Sequence, residues 1–365
     1  MSIRDEAHMR EALALAARGR GRTRPNPPVG AVVVKRNAVA GRGLHRYAGG
    51  PHAEIYALRQ AGKGAVGATL YVTLEPCSTA GRTGACTDAI IQAGIKRVVY
   101  GVRDPNPQHR GKGLRVLRRA GIEVVCGPCR HAAQELIAPF AMTMQQGRPW
   151  VTLKMASTLD GRIADAAGAS RWITGKHARR MVHNWRKQSD AVMVGAGTVA
   201  ADDPQLLDVG KQRLYRLIVD RDGVLNSNYR VFQDDFASMT RVITCDNVGT
   251  KGLDSIEAAG IDIWRIPRRM FLPTALQQIY SRLGLLQILC EGGGQLAAGL
   301  IAVGMVDEMK LFMSGRVLGA NAVPVVGAVK GWNMQRHPLF KWTDVLMAGE
   351  DVLLTGRPVQ DFARR

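Results

Sequence analysis

Residues 52–54 read His52-Ala53-Glu54, residues 75–77 read Glu75-Pro76-Cys77, and Cys86 follows. One imidazole and two thiols form a donor set suited to catalytic zinc, which needs three N/S ligands and an open fourth position for water. Zinc lowers the pKa of that water to ~7, and a nearby carboxylate that is not a ligand can carry protons to a leaving group. Glu54, two positions past His52, stands where such a carboxylate belongs. Each element alone is weak, because a His-Ala-Glu on a helix is usually a surface feature or a satisfied core histidine. Taken in order they predict zinc-dependent hydrolysis.

The elements that must position these groups can be read from local patterns. PHAEIYALRQAG predicts a helix opening after Pro51 and closing at Gly62, with His52 at its start. ATLYVTLEPC is a β-rich run ending at Cys77, and TDAIIQAG is a helix just after Cys86. Helix N-termini gathered at one end of a sheet would stabilise thiolates there. Before them, residues 6–18 have helical spacing, and AVVVKRNAVAGRG reads as two strands around Lys35-Arg36-Asn37. After them come a strand (KRVVYGV), a helix (LRVLRRAG), a strand (IEVVCG) and a helix over 131–144. Gly147 and Pro149 break that helix, and WVTLKMAS opens a second βα series. In that series DAVMVGAGTV, LYRLIVDRDG, RVITCD, IDIWRI, LQILCEGGG and MKLFMSG read as strands. Helices fall at 176–188, 273–283 and 295–303. Two different α/β domains are expected, 1–146 and 147–365.

Composition sets the outer bounds. The chain has 365 residues, 46% of them hydrophobic, which excludes disorder and leaves room for two cores. Residues 1–12 carry charges of both signs and no apolar stretch, so no secretory signal is expected. No run of about 18 uncharged apolar residues occurs, so no membrane span is expected, and a cytoplasmic location follows. The net charge of +20 is uneven: residues 1–148 hold 23 basic and 9 acidic side chains. That favours an anionic partner, whether nucleic acid or a small phosphorylated substrate, without deciding between them. Six cysteines are too few for a disulfide scaffold. Cys126 and Cys129 have redox or metal spacing but read as a turn leaving a strand, and Cys245 and Cys290 read as core.

The H-x-E…P-C order is a signature of zinc nucleobase deaminases, although those close with C-x-x-C and here eight residues separate Cys77 from Cys86. Along nearly its whole length the sequence resembles the bifunctional riboflavin-biosynthesis deaminase/reductase family. The resemblance rests on TRPNPPVGAVVV, PHAEIYAL, YVTLEPCS, CTDA, DPNPQHRGKG, LDGRIA, RKQSDAVMVGAGTV, ADDPQL, EGG and VDE. It implies a cytidine-deaminase-like three-layer domain followed by a dihydrofolate-reductase-like domain. It also implies zinc-dependent deamination of a diaminopyrimidinone ribosylamine 5′-phosphate, followed by NADPH reduction of the ribosyl chain to ribityl. A homodimer through the reductase domain is the family's usual assembly.

The same resemblance assigns residues. His52, Cys77 and Cys86 would hold Zn2+, with Glu54 as proton carrier. Asn26, His45, Arg82, Asp104 and Asn106 would bind the first substrate; Asn26 and Asn106 each sit in Pro-Asn-Pro, which is also turn chemistry. Ala156, Trp172, Thr198, Asp202 and the Gly293–Gly294 turn would line NADPH, that turn admitting backbone N–H groups close to a phosphate. Ser170, Arg186 and Leu206 would approach the ribosyl phosphate, and Lys154 and Glu291 the reacting carbon. The sequence departs from the family pattern at Ser78-Thr79-Ala80-Gly81, where Thr79 replaces a histidine, and at Gly84-Ala85, where two prolines are usual. It also lacks an arginine near Val209, where Lys211 is the nearest cation.

Two rival readings make different demands. A nucleic-acid deaminase calls for the short C-x-x-C closure and aromatic residues interleaved with basic ones, yet aromatics are 5% of this chain. No nucleic-acid partner is therefore expected. A protein with only one active half is motivated by Thr79 and Val209 alone, since the zinc set and Glu54 are intact.

Overall fold

The computed structural model describes residues 3–79, 84–207 and 214–359. The chain divides into two compact units, Met1–Gly147 and Arg148–Arg365.

The first unit runs α1 (Ile3–Ala17), β1 (Gly30–Lys35), β2 (Ala38–Leu44), α2 (Ala53–Ala61), β3 (Thr69–Leu74), α3 (Cys86–Gln92), β4 (Arg97–Val102), α4 (Lys112–Arg119), β5 (Glu123–Cys126) and α5 (Arg130–Gln146). Its five strands order as β2-β1-β3-β4-β5. β1 is antiparallel to both β2 and β3, whereas β3, β4 and β5 are parallel. The valine-rich strands are buried on both faces. Val33, Leu70, Val72 and Val98 pack with Ala57, Ile90 and Leu117 from α2, α3 and α4. Val32, Tyr71 and Val99 pack on the other side with Met9 and Ala12 of α1. The result is a three-layer sandwich, as the resemblance implied. Gly43 decides where α2 begins: a Cβ there would stand 1.8 Å from the Ala53 carbonyl oxygen. Only glycine lets the helix lie this close to β2, and His52 is its N-cap residue.

The second unit runs β6 (Trp150–Thr158), β7 (Arg162–Ala164), α6 (Lys176–Gln188), β8 (Ala191–Gly195), α7 (Ala196–Asp202), β9 (Tyr215–Val219), α8 (Arg230–Gln233), β10 (Thr240–Cys245), α9 (Lys251–Ala258), β11 (Asp262–Ile266), α10 (Phe271–Leu283), β12 (Gln287–Cys290), α11 (Gly294–Ala302), β13 (Glu308–Ser314), β14 (Val323–Pro324), β15 (Phe340–Ala348) and β16 (Asp351–Pro358). Nine strands order as β11-β10-β9-β8-β12-β6-β13-β16-β15, and β7 pairs separately with β14. The strands from β11 to β13 are parallel; β16 and β15 are antiparallel additions. Alternate strand residues feed two faces. Met193, Leu217 and Ile288 pack with α10 and α11, whereas Val192, Ile218 and Val242 pack with α7, α8 and α9.

The structure adds the short β7, α8 and β14 to the element reading and corrects it elsewhere. The run 190–199 is not all strand: β8 stops at Gly195, and the small residues after it open α7. α9 was hidden because Gly252, a poor helix former, stands in its first turn. The β15–β16 hairpin escaped because β15 is exposed along nearly its whole length, so burial imposes no alternation on it. Cys245 and Cys290 are buried as expected, whereas Cys126 ends β5 exposed. Among the described residues no helix is long and apolar enough to cross a membrane.

Candidate active sites

Three elements of the first unit converge. His52 caps α2, Cys77 follows β3, and Cys86 is the first residue of α3. His52 Nδ1 stands 3.2 Å from Cys86 Sγ and 3.5 Å from Cys77 Sγ. All three donor atoms lie within 4.8 Å of one another. A tetrahedral ion with Zn–N of ~2.0 Å and Zn–S of ~2.3 Å sets neighbouring N and S ligands ~3.5 Å apart, so the set fits zinc.

The backbone around the sulfurs supports negative charge. The Cys86 N–H donates to Cys77 Sγ at 3.4 Å. A hydrogen bond from the Cys86 thiol does most to hold Cys77 below the ordinary thiol range; burial opposes this, and His52 helps. The same pairing, with burial, pushes Cys86 up. Glu54 is only 3% exposed, and among the described residues its buried Oε2 has no hydrogen-bond partner. Burial above all, then the charge on Cys77, raises its carboxyl above the usual range. A raised pKa is the direction a proton carrier needs.

The residues expected to bind the first substrate fall into two groups. Asn26 Nδ2 lies 3.4 Å from His45 Nε2, and the His45 and His52 rings meet edge to face at 5.3 Å. His45 Nδ1 lies 3.1 Å from the Pro51 carbonyl oxygen, and burial lowers its pKa, so it stands as a neutral ring. Asp104 and Asn106 are in the loop after β4, where the Asn106 N–H donates to Asp104 Oδ1 at 2.8 Å. Asn106 Oδ1 in turn accepts from the Gln108 N–H at 3.0 Å. Turn chemistry is therefore present in this loop whether or not it also meets a ligand. Arg82 lies outside the described residues, as do Ala80, Gly81, Val209 and Lys211.

In the second unit β6 and β12 are neighbours, with Cys290 opposite Leu153. Lys154 and Glu291 follow these residues side by side. Glu291 is paired with Arg186 of α6 through both carboxylate oxygens, one at 2.9 Å from the Arg186 Nη2. The Arg186 Nη1 also donates to the Leu207 carbonyl at 3.0 Å. Burial opposes ionisation of Glu291, but the charge and hydrogen bonds of Arg186, with Lys154 and His183, outweigh it and lower its pKa. Burial lowers the Lys154 pKa; Glu291 pulls the other way, and Arg186 adds to the lowering.

Around these groups the Ser170 hydroxyl donates to Asp202 Oδ1 at 3.2 Å, joining a residue expected at the phosphate to one expected at the cofactor. Trp172 is 61% exposed, with the Arg179 guanidinium 4.2 Å from its ring centre. Ala156 on β6 is partly buried against the α6 side of the sheet. Gly293, at φ 82°, faces Thr198: a Cβ there would meet the Thr198 hydroxyl at 2.9 Å.

Two of the expected residues are restricted in what they can present. Gly294 has no room for a side chain, because the Pro324 carbonyl oxygen lies 2.8 Å from where a Cβ would stand. The Gly327 N–H also donates to the Gly294 carbonyl. The Leu206 side chain is buried with Val199, Ile218 and Leu225, so only its backbone, at φ 55°, is left to meet a ligand.

Known proteins place both units. Residues 2–102 match the cytidine and deoxycytidylate deaminase zinc-binding region, and residues 149–354 match the RibD C-terminal domain. The riboflavin biosynthesis protein RibD of Bacillus amyloliquefaciens is 38% identical over 97% of this chain and 96% of its own length. This chain belongs to the RibD family. The Synechocystis RibD is 41% identical over 97% of this chain and 96% of the relative. Among solved structures, Acinetobacter baumannii RibD superposes with a TM-score of 0.87 at 38% identity, covering 98% of this chain and 99% of that one. A Thermotoga maritima diaminohydroxyphosphoribosylaminopyrimidine deaminase/5-amino-6-(5-phosphoribosylamino)uracil reductase superposes at 0.85, also at 38% identity, with the same coverage. The RibD architecture, a zinc-binding deaminase domain and a reductase domain in one polypeptide, is that of this chain.

Sequence reasoning gave no role to two residues at these RibD sites. Glu75 was quoted only as part of the Pro-Cys run, although a carboxylate next to a metal ligand was the available signal. His183, three residues before Arg186 on α6, shares its helix face and is the last of the groups that lower the Glu291 pKa.

Proposed function

We propose that the first unit hydrolyses the exocyclic amine of 2,5-diamino-6-ribosylamino-4(3H)-pyrimidinone 5′-phosphate, and that the second reduces the ribosyl chain of the product to ribityl with NADPH. The observation that carries the reading is the convergence of His52 Nδ1, Cys77 Sγ and Cys86 Sγ within 4.8 Å, with the buried carboxylate of Glu54 beside them.

In the first reaction His52, Cys77 and Cys86 would hold the metal, and zinc bound there would supply a Lewis acid and a water activated at neutral pH. Glu54 would take one proton from the attacking water to the ring nitrogen, and then carry the second, from the newly formed C–OH, to the departing amine. A C–O bond forms, the C–N bond breaks, and ammonia leaves. Asn26 offers both donor and acceptor groups to the pyrimidine edge, and neutral His45 holds Asn26 in place. Asp104, Asn106 and Arg82 complete the ring and phosphate contacts.

In the second reaction a bound nicotinamide supplies the hydride. Lys154 gives the proton that the sugar ring oxygen needs as its bond to C1′ opens. A lowered pKa makes its ammonium a stronger acid than an ordinary lysine's. Glu291, ionised and tied to Arg186, holds Lys154 electrostatically rather than donating a proton itself. Ser170, Arg186 and the Leu206 backbone serve the ribosyl phosphate; Ala156, Trp172, Thr198, Asp202, Gly293 and Gly294 serve the cofactor, Gly294 by packing the turn. The exposed apolar edge of the reductase sheet, with Trp342, Val345 and Met347 on β15, supports pairing with a second copy. Phosphorylated substrates and NADPH are metabolites of the cytoplasm, where this reading places the enzyme.

The test combines metal analysis with ammonia release from the diaminopyrimidine substrate and NADPH oxidation on its deaminated product. About one zinc per chain and both activities are expected. A chain that holds no zinc, or that releases no ammonia when loaded with it, overturns the deaminase reading.

A further inference from the structure

The side chain of Glu75 is 4% exposed and stands immediately before Pro76 and Cys77. Its backbone continues the sheet, the Glu75 N–H donating to the Val102 carbonyl at 2.9 Å. Glu75 Oε2 accepts two backbone hydrogen bonds, from the Asp104 N–H at 3.3 Å and from the Gly111 N–H at 2.9 Å. One oxygen thus ties both ends of the loop that carries Asp104 and Asn106. Gly111 caps α4, and Gly113, in the first turn of that helix, leaves no room for a side chain: a Cβ would stand 1.9 Å from the Pro76 carbonyl oxygen. Loop and helix are therefore seated directly on the two residues that precede a metal-binding thiol.

Energetics make this arrangement informative. Among the described residues Glu75 has no ion-pair partner, and its Oε1 is buried with no hydrogen-bond partner. A buried carboxylate held only by backbone N–H groups is costly, and an apolar side chain at such a place generally serves stability better. What Glu75 gives in return is a fixed loop.

We infer that Glu75 is a positioning residue for the deamination: its carboxylate clamps residues 104–111 to the strand end bearing Cys77, and so fixes Asp104 and Asn106 against the pyrimidine. The inference rests on the proposed substrate contacts of that loop. Within the loop the clamp is relayed by the Asn106 N–H to Asp104 Oδ1, and by the Asn106 carbonyl accepting from the His109 and Arg110 N–H groups at 3.0 and 2.9 Å.

The experiment compares wild type, Glu75→Ala and Glu75→Gln in the full-length zinc-loaded chain. Ammonia release gives kcat and KM, NADPH oxidation reports an intact second unit, and hydrogen exchange reports protection of the Asp104 and Gly111 amides. Loss of two hydrogen bonds to a carboxylate in Glu75→Ala should raise KM about tenfold or more, leaving kcat within about threefold and zinc content unchanged. The two amides should exchange faster. Glu75→Gln keeps an acceptor oxygen and should recover most of both effects. Unchanged KM and protection in Glu75→Ala overturn the inference. So does loss of zinc in step with activity, which makes Glu75 a support of the metal site alone. If Glu75→Ala does not fold, Glu75→Gln decides: near-wild-type KM with retained amide protection upholds the clamp, and lost protection with unchanged KM refutes its role in binding. A wild type that releases no ammonia refutes the deaminase reading instead, while the exchange data still test the clamp.

Discussion

Glu291, at the end of β12, takes the guanidinium of Arg186 on α6 with both of its carboxylate oxygens, and Lys154 lies beside the pair on the neighbouring strand. Both partners are largely buried. Removing one member leaves its buried partner with less compensation, whereas removing both leaves mainly a packing change and the neighbouring Lys154. Arg186→Met or Glu291→Leu alone should therefore cost the second unit about 3–5 kcal/mol, and the double replacement Arg186→Met/Glu291→Leu should recover much of it. Urea unfolding of the four species in a mutant cycle measures the coupling. All three variants should lose NADPH oxidation while ammonia release persists.

Lys154 as proton donor carries a sign for the pH profile. The acid is the ammonium, so reduction is supported below the Lys154 pKa and falls as pH rises through it. Burial sets that pKa below the ordinary 10.5, so the alkaline limb should lie below the usual lysine range. Glu291 raises the Lys154 pKa, so Glu291→Gln should move the limb to lower pH in whatever activity survives. Lys154→Met should abolish the limb and reduce kcat by about 10²–10⁴. A limb that persists in Lys154→Met assigns the proton to another group.

Glu54 has a role separable from metal binding. Glu54→Ala should keep zinc and lose ammonia release by about 10²–10⁴, the usual range for a proton-transfer group. Chelation should abolish deamination in wild type yet leave NADPH oxidation of ready-made deaminated product unaffected. Zinc content by atomic absorption, read alongside both rates, separates the two cases.

Gly293 is a backbone requirement. At φ 82° and ψ 135° it occupies a region closed to other residues, and an added Cβ would also press on the Thr198 hydroxyl. Gly293→Ala should destabilise the second unit by about 1–3 kcal/mol and weaken NADPH binding. Denaturant unfolding and fluorescence titration with NADPH measure the two effects; ammonia release should not change.

Much of this was legible without coordinates, for reasons particular residues make clear. His52 after Pro51, Cys77 after a β-branched run and Cys86 before TDAII each announce an element boundary, and boundaries are where ligands gather in a layered α/β unit. The zinc set could be named because its parts lie close to strong local signals. β15 was not legible, since an exposed strand carries no pattern of burial. Nor was the covering of Gly294 by residues 324–327, which depends on a segment distant in sequence folding back over the turn.

By itself the amino-acid order determined the donor atoms, the run of strands and helices, and the chemistry these groups are capable of. Short-range backbone preference and side-chain type are written residue by residue. Tertiary structure alone decided that Arg186 is spoken for by Glu291, that Lys154 stands next to them, and that Glu75 ties down the loop of Asp104. Those pairings join residues far apart in the chain, and which strand lies beside which is settled only when the whole sheet packs.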